Sequence, residues 1–410
     1  MKPIDFTAEE LSSDSRLRIA VVTETYPPEV NGVAMSLKRM VDGLIDRGHQ
    51  VQLIRPRQTS SDHGATRPEF EELLARGWKL PRYDGLRFGL PARAALTRTW
   101  SRRSPDLVHV ATEGPLGWTA VSAAARLRLP VTSDFHTNFD HYSRYYGVAW
   151  LKQPVTAYLR KFHNRTAATF VPTDALALAL KHNGYRNVEV VARGVDTVLF
   201  SPAHRSERLR DSWGLAPDEL AVIHVGRIAP EKNLQLLFRA FQAIRALEPQ
   251  ARLILVGDGP MREALQREYP EAVFTGMQTG QALAEHYASS DLFLFPSLTE
   301  TFGNVTLEAL ASGLPMLAYD YAAAAQIIDS ENNGVVVPEG DEDTFVSAAV
   351  RLASDPALRR ILAAGARETA TRYDWDEVND CFEGRLMQVW QAANPGATCV
   401  GEGRRAQRRS

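Results

Sequence analysis

Short apolar runs alternate with longer stretches of helical spacing along the whole chain. In the N-terminal half these runs predict strands at Arg18–Val22, Gln50–Ile54, Gly85–Phe88, Leu107–Val110, Val131–Phe135, Thr169–Val171 and Val188–Val191. The stretches between them predict helices at Val33–Arg47, Leu116–Leu127, Leu151–Arg165 and Asp174–His182. Residues 57–80 are charged and predict a loop-rich insertion. Strands separated by helices indicate a parallel sheet with crossover connections.

The C-terminal half repeats this alternation. Its apolar runs predict strands at Ala221–Val225, Leu253–Val256, Ala272–Phe274, Leu292–Phe295, Pro315–Ala318 and Gly334–Val337. We therefore predict an α/β fold of two doubly wound, Rossmann-like domains that face a cleft, with a final helix packing back on the N-terminal domain. Ligands of such sheets bind outside the carboxyl ends of the strands, so the cleft is the expected site.

Shifts in composition along the chain predict the domain boundaries. A polar leader covers residues 1–16, the first domain residues 17–200 and the second domain residues 201–373. The helix that crosses back covers residues 374–393. The Arg-rich tail, residues 394–410, is expected to be disordered.

A chain of 410 residues with 44% apolar and 23% charged residues is typical of a globular protein with two domains. Its net charge of −2 argues against nucleic acid as a partner. Two cysteines, Cys381 and Cys399, make neither a disulfide framework nor a metal site, which fits a reducing compartment. No apolar run approaches the roughly 20 residues that span a bilayer. We expect a cytoplasmic protein, with peripheral contact to the inner face of the cell membrane as a further expectation.

Residues 290–315 carry the most informative pair of side chains, Glu300 and Glu308. An apolar run leads through a loop into a helical stretch, and backbone N–H groups at such a helix start can bind a diphosphate. The helix start comprises Phe302, Gly303, Asn304 and Val305. Glu308 could accept hydrogen bonds from ribose hydroxyls, and Glu300 from those of a sugar. Taken alone, both could equally be ordinary glutamates near the start of a helix.

Four further residues lie where predicted strands end. Arg227 and Lys232 follow the first strand of the second domain and could stabilise a leaving diphosphate, or be solvated cations. Gly32 begins the first helix and leaves room for an anion, or serves a simple turn. His136 follows the fifth strand and could touch a sugar or acceptor, or be structural. No Asp-x-Asp pair suits a divalent cation on a diphosphate, so we expect no metal and no cofactor.

Two stretches of the N-terminal half carry basic residues without acidic ones. The first contains Arg93, Arg98, Arg102 and Arg103. The second, within residues 141–173, contains Arg144, Lys152, Arg160, Lys161 and Arg165 beside Tyr145, Tyr146 and Trp150. Basic residues interleaved with aromatic ones can bind an anionic membrane surface, although a solvated face has the same composition.

The ordered set of motifs resembles the retaining glycosyltransferases of family 4, which have two Rossmann-like domains in the GT-B arrangement. The resemblance extends from about residue 18 to residue 390. It rests on Gly32, DFHTNF with His136, RGVD at 193–196, VGRIAPEKN at 225–233, VGDGP at 256–260, and Glu300 with Glu308. The segments DFHTNFDHYSRYYG and ARGVDTVLFSP are most similar to the bacterial GDP-mannose-dependent alpha-mannosyltransferases of this family. They also resemble the diacylglycerol glycosyltransferases that use UDP-glucose or UDP-glucuronate, and plant-type sulfoquinovosyltransferases.

This resemblance implies a hexosyltransferase. The donor would be a nucleotide diphosphate sugar, GDP-mannose or UDP-glucose or UDP-glucuronate, and the acceptor a membrane lipid or glycolipid. By the resemblance, Arg227 and Lys232 hold the diphosphate, and Glu308 holds the ribose. Glu300 holds the transferred sugar, and His136 lies near the reacting carbon. The anomeric configuration is retained.

The chain departs from the family pattern in two places. Many relatives have two adjacent glycines where this chain has Asn31-Gly32, the residues that would let the first helix reach the phosphates. Relatives often carry a Gly-rich turn and a Glu where this chain has Asp320-Tyr-Ala-Ala-Ala-Ala-Gln326. Two other functions fit the motifs: a nucleotide-sugar epimerase of similar fold, and a non-catalytic protein that binds sugar nucleotides.

Overall fold

The computed structural model describes residues 16–29, 31–59, 61–79, 87–136 and 152–395. The strands of the N-terminal half are β1 (Arg18–Val22), β2 (Gln50–Pro56), β3 (Thr66–Arg67), β4 (Phe70–Ala75), β5 (Gly77–Lys79), β6 (Arg87–Gly89), β7 (Leu107–Val110), β8 (Val131–Asp134), β9 (Ala168–Val171) and β10 (Val188–Val190). The helices of this half are α1 (Gly32–Asp46), α2 (Arg93–Arg102), α3 (Pro115–Leu127), α4 (Lys152–His163) and α5 (Asp174–His182).

Eight of these strands form one sheet in the order β10-β9-β8-β7-β1-β2-β4-β3. All neighbours pair in parallel except β3 and β4. The direction of strand order reverses between β1 and β7, so their carboxyl ends flank the crevice where such sheets bind ligands. Strands β5 and β6 form a separate antiparallel ribbon.

The C-terminal half forms a second parallel sheet. Its strands are β11 (Ala221–Val225), β12 (Arg252–Val256), β13 (Val273–Gly276), β14 (Leu292–Phe295), β15 (Met316–Tyr319) and β16 (Val335–Val337). Its helices are α6 (Glu207–Ser212), α7 (Leu234–Arg245), α8 (Arg262–Glu268), α9 (Gly280–Ala288), α10 (Asn304–Ala311), α11 (Ala322–Ile327), α12 (Glu342–Ser354), α13 (Pro356–Ala370) and α14 (Trp375–Ala393). The order β13-β12-β11-β14-β15-β16 is that of a dinucleotide-binding sheet, with its crevice between β11 and β14.

The predicted loop-rich insertion at residues 57–80 is wrong for much of its length. Strand β4 lies there and pairs in parallel with β2 over six residues. Strand β3, at the edge of the main sheet, precedes β4 in the chain, and strand β5, of the separate ribbon, follows it. The charged residues that suggested a loop are paired across the sheet. Arg55 lies 2.5 Å from Glu72, and Gln52 donates to Glu71 at 2.8 Å. These tertiary contacts let a charged segment pair as a strand.

Two other predictions of the N-terminal half need correction. The strand predicted at Gly85–Phe88 is β6, which pairs with β5 alone and not with the main sheet; residues 85 and 86 lie outside the described residues. The first basic stretch forms helix α2. Its Leu96 and Trp100 are buried, and Trp100 donates to the Gln52 side chain at 3.0 Å, so one face of the basic stretch belongs to the core.

Helix α14 returns from the C-terminal half to the N-terminal one, as predicted. Phe382, Leu386 and Met387 are buried in the hydrophobic cluster beneath β1 and α1. Polar contacts secure the same helix, since Arg47 lies 2.5 Å from Asp380 and the buried His49 lies 2.9 Å from Glu383. The last helix among the described residues therefore completes the packing of the N-terminal half.

Several predictions fall on residues that are not described. These are the polar leader up to residue 15, the tail from residue 396, and, in the second basic stretch, residues 144, 145, 146 and 150 together with the side chain of residue 152. In the part of the chain that is described, no helix has the length and apolar character needed to cross a bilayer.

Candidate active site

Two loops meet at the carboxyl ends of β11 and β14. The loop after β11 carries Arg227 and a 3₁₀ turn at Pro230–Lys232, and the loop after β14 leads to Glu300. The backbone N–H of Leu298 donates to the carbonyl of Glu231 at 3.1 Å and ties the two loops together. Neighbouring strands thus bring side chains 68 residues apart in sequence into contact.

Lys232 and Glu300 form an ion pair in this corner, with Lys232 Nζ donating to Glu300 Oε1. Ser297 Oγ donates to the same carboxylate oxygen at 2.8 Å, and the Lys232 ammonium lies 5.5 Å from the centroid of the Phe295 ring. The two side chains are 14% and 16% exposed, so the pair faces the cleft at its edge. An ion pair that retains access to solvent can exchange partners, the ammonium for a phosphate and the carboxylate for sugar hydroxyls.

The diphosphate candidate, the start of α10, begins at Gly303. Its φ of +92° lies in the left-handed region that favours glycine. No side chain among the described residues caps this helix start. Its first N–H groups therefore keep their capacity to bind an anion. Asn304 faces the other domain, where Asn304 Nδ2 donates to Ser36 Oγ at 3.1 Å, while the Phe302 side chain is buried and Val305 packs against the core.

Glu308 lies on the next turn of α10 and is half-buried. The hydroxyl of the buried Tyr287 donates to Glu308 Oε2 at 3.0 Å. Burial raises the pKa of Glu308 to about 7, and the hydrogen bond from Tyr287 opposes that rise. The pKa of Tyr287 is itself raised, by burial and then by Glu308. One carboxylate oxygen is thus fixed, and the side chain titrates near neutral pH.

The segment that departs from the family pattern closes this corner. Tyr321 donates its hydroxyl proton to the carbonyl of Glu300 at 2.9 Å. Ala322 has a φ of +53°, which is uncommon for a residue with a side chain. A small cavity lies between this segment and the loop after β14, lined by Ser297, Glu300, Phe302, Thr306 and Tyr321 among others. The alanine-rich segment therefore shapes the space next to Glu300.

Gly32 faces this corner from the N-terminal half. It begins α1, which Asn31 caps by accepting from the Ala34 N–H at 2.9 Å. Asn304 Nδ2 lies 3.4 Å from the carbonyl oxygen of Gly32. A Cβ on Gly32 would meet Asn304 at 3.5 Å, an ordinary contact distance. Packing alone does not demand glycine here, but a side chain would enter the gap between the two helix starts.

His136 follows β8 and contacts the loop after β14 through its backbone, because Thr301 Oγ1 donates to its carbonyl at 2.9 Å. Both of its ring nitrogens have partners. Nε2 lies 3.2 Å from Asp134 Oδ2, and Arg193 donates to Nδ1 at 3.1 Å. Because a guanidinium only donates, Nδ1 accepts and the ring proton lies on Nε2.

Asp134 and Arg193 are the site residues that sequence reasoning missed. Asp134 is 1% exposed, and His109 and Arg193 approach it at 3.5 and 3.7 Å. Burial opposes its ionisation, yet His109 and His136 hold the pKa of Asp134 well below its usual range. The available signals were an Asp at the end of a strand two residues before His136 and the Arg of the RGVD motif.

The structure thus gathers the predicted residues around one cleft. Contacts join Lys232 with Glu300, Asn304 with Gly32, and the Glu300–Gly303 loop with His136. Arg227 lies beside this group, 39% exposed at its side chain and 3.4 Å from Glu231. Within the described ranges, no three His, Cys, Asp or Glu side chains cluster to hold a metal ion.

Comparison with known proteins follows the division of the chain. Residues 30–199 match the family model described as Glycosyltransferase Family 4, and residues 219–355 match the one described as Glycosyl transferases group 1. A GDP-mannose-dependent alpha-mannosyltransferase of Mycobacterium tuberculosis is 33% identical over 91% of this chain and 97% of its own. An alpha-monoglucosyldiacylglycerol synthase of Acholeplasma laidlawii is 28% identical over 87% and 93%. The solved sucrose-phosphate synthase of Thermosynechococcus elongatus superposes with a TM-score of 0.76 at 19% identity, over 92% of this chain and all of its own, which shows the shared fold.

Proposed function

The chain belongs to glycosyltransferase family 4, with the GT-B fold of a hexosyltransferase, and we propose that it moves a hexose from a nucleotide diphosphate sugar to a membrane lipid or glycolipid with retention of the anomeric configuration. The observation that carries this proposal is the Lys232–Glu300 pair beside the open start of α10, facing His136 across the cleft. No part of the transfer needs a cofactor or a metal in this scheme.

The donor side offers positive charge where a diphosphate would lie. In the proposal, Arg227 and Lys232 bind the phosphate oxygens together with the N–H groups that begin α10. Glu308 then accepts hydrogen bonds from the ribose hydroxyls, and Glu300, released from Lys232, accepts them from the transferred sugar. These groups gain most when negative charge builds on the departing diphosphate, which lowers the barrier.

Retention follows if the acceptor attacks from the face that the diphosphate leaves. The acceptor oxygen forms a bond to the anomeric carbon as the bond from that carbon to the phosphate oxygen breaks. The acceptor proton passes to the leaving phosphate oxygen. The partners of His136 support this scheme, because Asp134 and Arg193 engage both ring nitrogens. His136 would then position the reacting groups, with its carbonyl toward the donor loop.

GDP-mannose is the donor we propose first, since the relative that is 33% identical over 91% of the chain is named a GDP-mannose-dependent alpha-mannosyltransferase. A UDP-sugar with diacylglycerol as acceptor is the second candidate, which the named diacylglycerol relative favours. Both relatives are named as transferases or synthases. This favours transfer over epimerisation or binding without catalysis.

A lipid acceptor also agrees with the basic surface of the N-terminal half. Arg160 and Lys161 are exposed on α4, and Tyr158 of that helix is 39% exposed. Arg93, Arg98 and Arg102 are exposed on α2. We propose that this half contacts the anionic inner face of the cell membrane from the cytoplasm.

A donor screen tests the proposal. Purified protein is mixed with GDP-mannose, UDP-glucose, UDP-glucuronate and UDP-galactose, with and without diacylglycerol vesicles, in EDTA. We expect GDP to be released from GDP-mannose in a reaction that requires vesicles and survives EDTA. Release that EDTA abolishes would refute the metal-independent scheme. A product made from donor alone, without transfer, would support the epimerase.

A further inference from the structure

The β5–β6 ribbon faces outward in an unusual way. Trp78 pairs with Phe88 and Gly77 with Gly89 across the ribbon, so each pair shares one face. The glycine face lies against the protein. A Cβ on Gly77 would come within 3.1 Å of Pro56 Cβ, and one on Gly89 within 2.6 Å of Leu116 Cβ. The aromatic face is therefore directed to solvent.

The exposure of these aromatic side chains is large. Trp78 is 67% exposed, Phe88 is 44% exposed, and the next residue on the same face, Leu90, is 39% exposed. Apolar side chains that cluster on an exposed face contribute little to the stability of the isolated chain. Such clusters mark surfaces that bind another molecule or a membrane.

The ribbon lies at the edge of the sheet that faces the cleft. The N–H of Gly89 donates to the carboxylate of Glu24, which follows β1, and the N–H of Leu116 donates to the same carboxylate at 2.9 Å. The carboxyl ends of β1 and β8 lie on one edge of the parallel sheet, and β8 leads directly to His136. A molecule bound to the aromatic face thus lies on the same side of the domain as the cleft.

The sequence that contains the ribbon and continues into α2 is rich in basic residues. Residues 76–103 contain eight Lys and Arg residues and a single acidic residue, Asp84. Arg76, Arg93 and Arg98 are exposed, and within the described residues they form no ion pairs. Aromatic side chains flanked by unpaired basic ones suit the interface of an anionic bilayer, where the rings enter the headgroup region and the cations meet lipid phosphates.

We propose that the outward face of the β5–β6 ribbon, formed by Trp78, Phe88 and Leu90, inserts into the headgroup region of an anionic membrane and holds the cleft at the lipid surface. The proposal rests on the proposed function for its lipid acceptor. The ribbon is a docking element separate from α4. Its aromatic side chains would insert into the membrane, whereas Arg160 and Lys161 of α4 would supply charge alone.

The test is co-sedimentation of wild type and Trp78→Ser/Phe88→Ser with vesicles of phosphatidylglycerol and phosphatidylcholine. The matched control is Leu178→Ser/Leu247→Ser, which also replaces two exposed apolar side chains, 58% and 59% exposed. We expect the ribbon variant to bind vesicles at least about tenfold more weakly, since each lost ring removes apolar area from the interface. The control should bind as wild type does.

Two further measurements keep the result decisive. Brominated lipids should quench part of the tryptophan fluorescence of wild type bound to vesicles. That quenched part should be missing in Trp78→Ser. The proposal would be overturned if the ribbon variant sedimented with vesicles as wild type does, or if the control variant lost binding equally. It would also be overturned if wild type were a dimer and the ribbon variant a monomer, because the ribbon would then be a dimer interface. Nucleotide release with a detergent-dispersed acceptor should be unaffected in the ribbon variant. If wild type releases no nucleotide with the detergent-dispersed acceptor, the proposed function is contradicted. The vesicle experiment would still test the docking surface in that case.

Discussion

Helices α3 and α10 occupy equivalent places in the two halves, yet their starts are chemically opposite. Each follows the strand that lies beside the first strand of its sheet, across the crevice. The start of α3 is occupied by the Glu24 carboxylate, which accepts from Leu116 at 2.9 Å. The start of α10 has no side-chain cap among the described residues. In the first half a side chain of the protein, Glu24, thus occupies the helix start. In the second half the equivalent helix start has no such occupant among the described residues.

The side chains around the two edges extend this contrast. At the C-terminal edge, Lys232 and Glu300 retain access to the cleft and can exchange partners. At the N-terminal edge, Asp134 and Arg193 are 1% and 5% exposed and hold His136 between them. In the proposed function, the C-terminal half would bind the charged donor, while the N-terminal half would supply a rigid wall for the acceptor.

The N-terminal edge, where Asp134 and Arg193 hold His136, is called the rigid edge here. The largest expected effect comes from removing its buried charge, Asp134. In Asp134→Asn, Arg193 would face a neutral amide, and the loss of one partner from a buried pair costs about 3–5 kcal/mol of unfolding free energy. Urea denaturation measures it. The control Asp42→Asn, in the exposed pair with Lys38, should lose less than about 1 kcal/mol. If both variants lose the same small amount, the rigid edge is not held by this charge.

The turnover rate tests the open edge, which is the C-terminal edge with Lys232, Glu300 and the start of α10. Lys232→Ala removes the ammonium next to the start of α10, and we expect the turnover rate to fall by about 10²–10³-fold, as for the loss of one group that stabilises transition-state charge. Lys181→Ala, on the exposed face of α5, is the control and should keep the wild-type rate. Steady-state release of the nucleoside diphosphate measures both. A Lys232→Ala enzyme within threefold of wild type would contradict the diphosphate role, where threefold is on the order of 0.7 kcal/mol.

Donor affinity should depend on pH through Glu308. Because the pKa of Glu308 is raised to about 7, the carboxylate that accepts from the ribose forms as pH rises through neutrality. Donor affinity should therefore increase from pH 6 to pH 8 in wild type. Glu308→Gln should bind the donor on the order of tenfold more weakly at high pH, with little pH dependence.

Tyr287→Phe provides a sharper version of the same experiment. It removes the hydrogen bond that opposes the rise in the pKa of Glu308, so the increase in affinity should move to higher pH. Titration calorimetry at several pH values measures these curves. A midpoint that stays in place in Tyr287→Phe would contradict the assignment to Glu308.

The pH dependence of stability tests the occupied start of α3. Burial raises the pKa of Glu24 from 4.5 to about 7, so the folded protein binds more protons than the unfolded chain between these values. Stability contributed by this group is therefore present at low pH and falls as pH rises from about 4.5 to about 7. Glu24→Gln should reduce this fall by at most about 3 kcal/mol, and Glu308 should account for part of the remainder. Identical pH profiles of the urea midpoint for wild type and Glu24→Gln would exclude the ionisable cap.

The open edge could largely be predicted from the sequence because its features are local. An apolar run followed by Gly303 and a helical stretch marks a strand-to-helix junction, and Glu308 follows within that helix. The pairing of Lys232 with Glu300 depends only on β11 and β14 being neighbours, which the doubly wound order provides. Local pattern and regular topology are sufficient in this half.

The rigid edge could not be predicted in the same way. Arg193 meets His136 from 57 positions away, and no local pattern marks that contact. Strand β4 was predicted as loop because its charges are satisfied only by partners on other strands, such as Arg55. Strand β5 and its pairing with β6 were missed for a related reason. The glycines of β5 and β6 face inward, so the usual alternation of apolar positions is inverted.

Titration calorimetry with GDP and GDP-mannose in EDTA measures donor binding at the start of α10 and beside Lys232. We expect one binding site per chain for wild type, retained in Glu24→Gln and weakened at least about tenfold in Lys232→Ala. Binding that is unaffected by Lys232→Ala, or a requirement for a divalent cation, would contradict the claim that the open edge of the C-terminal half holds the donor diphosphate.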